Sequence, residues 1–345
     1  MKRIKLEELL VKKDFLLAFF DSSGFASKIK KNSFIGMKLH FGEKGNKSFV
    51  NPKILRPLVN YLKNHKTKPF LFDTNTLYRG QRLNAVDHLL LASQHGFASL
   101  GIPIMIADGL KGNDYREVEI NKNHYKKCFI ASLCMDMDFI LCISHLTGHM
   151  ITGFGGSMKN LGMGLASRRG KLSQHSDIAP SINQAKCQAC GICRANCPAA
   201  SIEQEDNRYF IDKVKCIGCA QCISVCPYAA VVIHWSDEHI LLQEKMVEYA
   251  YAAVKDKDCA YFNFCLFITK ECDCLNKETK PAVEDIGVIF GYDPVAVDKA
   301  SIDLLIKNEN KDVLRQFHPE IDYISQFDYA EKIGLGTANY NLIEL

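Results

Sequence analysis

The sequence contains a single tryptophan and ten prolines in 345 residues, and it has no long run of apolar residues. Its longest uncharged stretch, residues 139 to 158, carries four glycines and two histidines. That excludes a membrane-spanning helix, which needs about 20 consecutive apolar residues. The opening MKRIKLEELLVKKDF mixes lysine with glutamate and lacks the apolar core and cleavage site of a secretory signal. A cytoplasmic location without membrane association is therefore expected. With 47% hydrophobic and 24% charged residues, the composition excludes a disordered or fibrous chain. The length suggests about two domains at roughly 150 residues each.

Cysteine, by contrast, is abundant. Fifteen cysteines in a chain not expected to be secreted point to metal rather than to a disulfide framework. Residues 187 to 198 read CQACGICRANCP, and residues 216 to 227 read CIGCAQCISVCP, the same pattern repeated 29 residues later. Each copy is C-x2-C-x2-C-x3-C-P, the bacterial ferredoxin run, in which three cysteines bind one [4Fe–4S] cluster and the fourth binds the other. The first cluster is expected on Cys187, Cys190, Cys193 and Cys226, and the second on Cys216, Cys219, Cys222 and Cys197. Gly191 and Gly218 suit a close backbone approach, and Pro198 and Pro227 turn the chain away after the fourth ligand. A zinc ribbon would use two C-x2-C pairs and leave two cysteines of each copy without a role.

The formal charge of +4 falls to near zero if two oxidised clusters each bring about −2. A basic nucleic-acid surface is then not expected. The cysteine segment spans about residues 181 to 235, and apolar runs alternate with amphipathic stretches on both sides of it. Strands are expected at 34–39, 70–72, 102–107, 139–144, 261–269 and 286–290, and helices at 52–64, 83–95, 239–255 and 294–307. This alternation predicts an α/β fold with a mostly parallel sheet flanked by helices. Neither flank alone supplies a full set of strands. The chain therefore reads as a discontinuous α/β domain, residues 1–180 and 236–345, with a two-[4Fe–4S] ferredoxin domain inserted at 181–235.

Polar residues follow the apolar runs, where open α/β sheets place their ligand crevice. They are His40 to Glu43, Asp73 to Asn75, Asp108-Gly109, His145, Cys272 to Cys274 and Tyr292-Asp293. If the strands are parallel, these loops converge on one edge of the sheet. The stretch GFGGSMKNLGMGLASRRGK, residues 153 to 171, offers backbone donors and Lys159, Asn160, Arg168, Arg169 and Lys171 for an anionic ligand. It matches neither G-x-G-x-x-G nor the P-loop, and a tightly packed glycine-rich turn is the alternative. His145 and His149, four apart, would share one helical face as metal ligands, although Gly148 weakens that helix and satisfied structural histidines are the alternative. Cys272-Asp273-Cys274 sits in a charged loop and could bind a metal or act as a redox pair. Cys128, Cys134 and Cys142 lie in apolar runs and read as small core residues. Asp293 and Pro294 read as the N-cap and first residue of a helix.

The motifs KLHFGEKGN, FDTNTLYRGQR, SHLTGHMITGFGGSMKNLGMGLASRRGKLSQHS, ITKECDC and DIGVIFGYDPVAVDKAS, together with the cysteine repeat, resemble the iron–sulfur-containing members of the domain-of-unknown-function 362 family. The resemblance covers about residues 34 to 306. It implies a ferredoxin unit placed within a larger domain and supplies no catalytic residues. Three functions stay open. One is an iron–sulfur oxidoreductase acting on a small anionic substrate, second cofactor or metal, with His40, His145, His149 and Lys159 as candidate proton donors or ligands. The second is an electron carrier that docks a redox partner protein and performs no chemistry itself, and in the third the clusters are purely structural.

Overall fold

The computed structural model describes residues 15–176, 179–234 and 238–345. Trp235 and most of the N-terminal stretch read above lie outside them. The centre is a six-stranded sheet built from β1 (Phe34–Lys38), β2 (Lys68–Asp73), β3 (Ile104–Ile106), β4 (Phe139–His145), β5 (Asp258–Cys265) and β6 (Gly287–Gly291). Their spatial order is β6-β5-β4-β1-β2-β3. Every neighbouring pair is parallel except β5 with β6. Four strands come from before the cysteine segment and two from after it, so the sheet is completed only by both flanks.

These strands are apolar almost throughout because both faces are covered, as parallel sheets require. Ile35, Met37, Leu71, Leu141, Ile143, Phe262 and Phe264 point into one core, against the helices Phe15–Ser23 and Arg56–Asn64. Phe70, Phe72, Ile140, Cys142, Tyr261 and Cys265 point into the other, against the helices His239–Val254, Pro294–Glu309 and Ser325–Ile333. Cys128, Cys134 and Cys142 are fully buried there, as expected. Asp293 caps the helix Pro294–Glu309 by accepting from the Val295 and Ala296 amides at 2.8 and 3.1 Å, with Pro294 in its first turn.

The sheet topology corrects one expectation. The C-terminal ends of β1, β2, β3, β4 and β5 share an edge, but β6 runs the other way, pairing Gly291 with Tyr261 and Gly287 with Cys265. Tyr292 and Asp293 consequently sit at the opposite edge, where the Tyr292 hydroxyl lies 3.1 Å from the Ser23 hydroxyl. A second correction concerns His145 and His149, which do not share a helix. His145 ends β4, and His149 lies in a short hairpin pairing Thr147–His149 with Gly153–Gly155. Gly148 suits this hairpin: a Cβ there would fall 2.2 Å from the Lys270 carbonyl oxygen.

Between the helices Arg168–His175 and His239–Val254, the cysteine segment forms its own small elements. Ser181–Ile182 pairs antiparallel with Val231–Val232, and Ile202–Glu205 pairs with Arg208–Ile211. Short helices at Ile192–Ala195 and Gln221–Val225 follow the second glycine-or-alanine turn of each repeat, at Gly191 and Ala220. The two copies adopt the same backbone. Left-handed φ values occur at Ala189 and Gly218, at Gly191 and Ala220, and at Ala200 and Ala229, each pair 29 residues apart. Alanine held at positive φ costs roughly 1–2 kcal/mol per residue, so both copies maintain a strained wrapping that glycine alone would adopt freely.

Candidate functional site

Two small cavities lie within the cysteine segment. One is lined by Cys187, Cys190, Cys193 and Cys226, the other by Cys197, Cys216, Cys219 and Cys222. The fourth cysteine of each copy thus sits with the first three of the other. The surrounding donors repeat as well: the Ser201 amide donates to Cys197 Sγ and the Ala230 amide to Cys226 Sγ, both at 3.3 Å. The Ser201 hydroxyl adds a contact to Cys197 Sγ at 3.2 Å. Burial raises the Cys197 thiol pKa, but the Ser201 hydroxyl with the Ser201, Ala199 and Ile202 amides holds it below its usual value. Four soft sulfur donors around a small apolar-walled space are a donor set that suits a thiolate-bound metal cluster.

A second and much larger cavity, about 500 Å³, opens at the C-terminal edge of the parallel strands. It gathers His40, His145, His149, Lys159, Asn160, Lys171, Cys272 and Cys274 in its walls. Lys38, the last residue of β1, bridges the floor: its Nζ bonds Asn160 Oδ1 at 2.7 Å and Asp73 Oδ1 at 2.9 Å. Burial alone would raise the Asp73 pKa, but Lys38, His88 and Arg82 hold it below the usual carboxylate range. Arg82 is also paired with Glu43 at 3.3 Å and with the Tyr78 hydroxyl. Neither Lys38 nor Arg82 stands out in the sequence reading. The signal available was a lysine inside an otherwise apolar strand, a placement that demands a buried partner.

Lys159 differs from its neighbours. Its ammonium has no hydrogen-bond or ion-pair partner among the described residues, and burial lowers its pKa to about 8 against a partial offset from Asp273. It rides on the short helix Ser157–Gly162, which Asp298 fixes by accepting the Ser157 and Met158 amides at 2.6 and 2.9 Å. Lys171 is saturated instead, donating to Thr74 Oγ1, Asn75 O and Ala166 O at 2.5 to 2.9 Å. The lining carries Lys38, Arg82, Lys159 and Lys171 against the carboxylates Asp73 and Asp273, an imbalance that favours an anionic occupant.

Arg168 and Arg169 do not join this wall. Arg168 is fully buried and donates to the Thr76, Lys111 and Leu83 carbonyls. Arg169 points away, its guanidinium 3.9 Å from the Phe129 ring centre and 2.7 Å from the Tyr115 hydroxyl. Arg169 lies about 100° from Arg168 and about 160° from Lys171 around their helix, so it cannot face the ligand that Lys171 faces.

The three histidines divide by their hydrogen bonds. His145 is fully engaged, with Nε2 donating to the Leu266 carbonyl at 2.8 Å and Nδ1 2.9 Å from Asp273 Oδ2. Burial opposes its charge, but Asp273 raises its pKa, and with an oxygen acceptor at each ring nitrogen it has no lone pair to offer a metal. His40 Nδ1 accepts from the Gly42 amide at 3.1 Å, and burial with Arg82 and Lys159 nearby keeps the ring neutral. His149 Nδ1 accepts from the Ile151 and Thr152 amides at 3.2 and 3.1 Å. Burial and Lys159 lower its pKa too. In both rings the proton then resides on Nε2.

The sulfurs of Cys272 and Cys274 are 1.99 Å apart, a disulfide spanning Asp273. A ligand atom of His149 and the two sulfurs all lie within 4.8 Å of one another, donor types that suit a soft metal, but the His149 Nδ1 lone pair is already taken by the Ile151 and Thr152 amides. Asp273 anchors this loop through His145 and through the Ser48 hydroxyl, which donates at 2.6 Å. Cys259 and Cys265 do not contribute; burial pushes both thiols up to about 12.

The crevice and the cysteine segment meet along the loop after β2. Leu77, in the crevice wall, packs with Leu172, Ala220 and Ile223, with Cys222 against the same cluster. Arg79 donates to the carbonyls of Cys226 and Pro227 at 3.0 and 2.9 Å.

No helix among the described residues is long and apolar enough to cross a membrane. A search of curated proteins found no match. Among solved structures, a Thermotoga maritima protein is 9% identical with a TM-score of 0.45, covering 90% of this chain and 60% of its own. The lactate racemase apoprotein from Thermoanaerobacterium thermosaccharolyticum is 13% identical with a TM-score of 0.41, covering 82% of this chain and 49% of its own. This chain therefore spans only about half to three fifths of the length of those proteins. The family model described as "Domain of unknown function (DUF362)" matches residues 35–303, most of the sequence, and the chain belongs to that family.

Proposed function

We propose that this protein is an iron–sulfur oxidoreductase. Two [4Fe–4S] clusters would be held by Cys187, Cys190, Cys193 and Cys226 and by Cys216, Cys219, Cys222 and Cys197, and would supply one-electron transfer when bound. The observation that carries the reading is the grouping of those eight cysteines around two cavities in the crossed arrangement the ferredoxin run requires. The crevice would hold the reacting partner, a small anionic substrate or second cofactor. Lys159 would bind its negative group, Lys38 and Arg82 would keep Asp73 ionised, and His40 would present an Nε2 proton. The wall of the crevice reaches the cysteine segment through Leu77 and Arg79.

A second reading, an electron carrier that docks a partner enzyme, is favoured by exposed apolar side chains on the cysteine segment. Ile192, Phe210, Val214, Ile217 and Tyr228 are all at least 39% exposed, a composition suited to transient protein contact. The two readings share the clusters and differ in the crevice. Anaerobically prepared protein titrated potentiometrically, with EPR detection, tests the shared part: two one-electron couples are expected, and the absence of any reducible centre would refute both. A small anion that quenches or shifts a signal in the wild type but not in Lys159→Met supports crevice chemistry. Identical behaviour of the two proteins favours the carrier.

A further inference from the structure

We propose that Cys272 and Cys274 are a redox-active pair forming the crevice end of the electron path, opened from disulfide to dithiol by electrons from the cysteine segment. The inference rests on the iron–sulfur reading above and assigns that reading its two-electron group.

Four observations carry it. The two sulfurs are bonded, and both residues line the 500 Å³ crevice. Cys272 is buried and Cys274 partly exposed, so one sulfur is open to a reactant and the other is positioned to close on it. The loop is fastened independently of the sulfur bond: Asp273 is held by His145 and Ser48, and its carbonyl accepts from the Glu43 amide at 3.2 Å. Breaking the S–S bond would therefore leave both sulfurs facing the crevice. Finally, the same crevice wall includes Leu77, which packs beside Cys222. The remaining cysteines outside the repeat, Cys128, Cys134, Cys142, Cys259 and Cys265, are absent from the crevice lining.

The step balances with one external reductant, a low-potential one-electron donor, used twice. The Cys272–Cys274 bond breaks, each sulfur takes one electron and one proton, and two thiols result. Two one-electron centres supply that pair of electrons in a single turnover, having themselves been loaded by an external low-potential one-electron donor. Protons come from the solvent that reaches the crevice, with Lys159 and His149 in its wall.

The test uses the full-length, anaerobically prepared protein after its iron has been counted. About two electron equivalents per chain are added from a one-electron reductant, and the visible cluster absorbance is followed. In the wild type it should bleach and then recover as the electrons pass to the disulfide. In Cys272→Ser/Cys274→Ser, with the same iron content, the bleach should persist. Thiol alkylation followed by mass spectrometry of the peptide holding both residues provides a readout independent of any variant. Neither cysteine should be labelled before reduction, and both should be labelled after recovery. A persistent bleach in iron-loaded wild-type protein, labelling before reduction, or a stoichiometric metal bound to the pair would overturn the relay alone. Protein that holds no iron would overturn the relay together with the iron–sulfur reading.

Discussion

The guanidinium of Arg79 donates to the backbone carbonyl of Cys226 at 3.0 Å, so a loop that walls the crevice grips the residue that closes the first cysteine cavity. The same guanidinium reaches the Pro227 carbonyl at 2.9 Å. Arg79→Ala removes both bonds. Because Arg79 is exposed, the expected loss is modest, about 1 kcal/mol. It should appear as faster hydrogen exchange across residues 181–234, with the central sheet unchanged. Equal protection in the two proteins would show that the grip contributes nothing.

Among the positions where the two cysteine cavities differ, one changes the donors to the crossing cysteine. Cys197 receives both the amide and the hydroxyl of Ser201, whereas the equivalent Ala230 offers Cys226 only an amide. Hydrogen bonds to sulfur are one of the factors that set cluster potential, and they stabilise the more negative, reduced state. If the proposed clusters are bound, the one that Cys197 would help hold should titrate at the higher potential. Ser201→Ala should lower that couple and leave the other in place. A potentiometric titration in which both couples move, or neither does, would contradict this.

Lys159 should give the crevice a pH-dependent affinity for anions. With its pKa lowered to about 8, the ammonium is charged at neutral pH and loses its proton above that value. Binding of a small carboxylate or phosphate, measured by calorimetry, should weaken as pH rises from 7 to 9 and should be nearly flat in Lys159→Met. The linkage has the opposite sign for stability. An unfolded lysine titrates near 10.4, so between about 8 and 10.4 the unfolded chain binds the extra proton and stability gains with rising pH. Lys159→Met should remove this gain and be the more stable protein at pH 7.

Gly164 is required by close approach rather than by conformation. A Cβ there would lie 2.2 Å from the Asn160 carbonyl and 2.6 Å from Lys38 Nζ. Gly164→Ala should displace the Lys38–Asp73 pair, cost about 1–3 kcal/mol as an overpacked core site, and weaken anion binding. A thermal melt and a binding isotherm unchanged from wild type would sink the claim.

Much of this architecture was legible in advance because apolar runs ending in polar loops mark parallel strands. The runs at 34–39, 70–72 and 139–144 became β1, β2 and β4 nearly as read. The orientation of β6 was not legible: Ile286 to Phe290 has the same apolar character whether it runs parallel or antiparallel to its neighbour, and only pairing decides which edge Tyr292 reaches. Histidines four apart fit a helix or a tight hairpin equally, and the hairpin's close packing at Gly148 depends on Lys270, a partner over a hundred residues away. Arg169 carried the right charge on the wrong face of its helix. Lys38 and Arg82 escaped notice because their roles depend on Asp73 and Glu43, which the fold brings to them. The repeat itself was legible because its spacing recurs within about 40 residues, and the two copies share their positive-φ positions 29 residues apart.

The most direct measurement is the content of iron, acid-labile sulfide and zinc in anaerobically purified protein. The account predicts about eight irons and eight sulfides per chain with no zinc, falling together when Cys226 or Cys197 is replaced by alanine. Two zinc ions and no labile sulfide would contradict it, because the two cysteine cavities would then hold structural metal and there would be no electrons to deliver to the crevice.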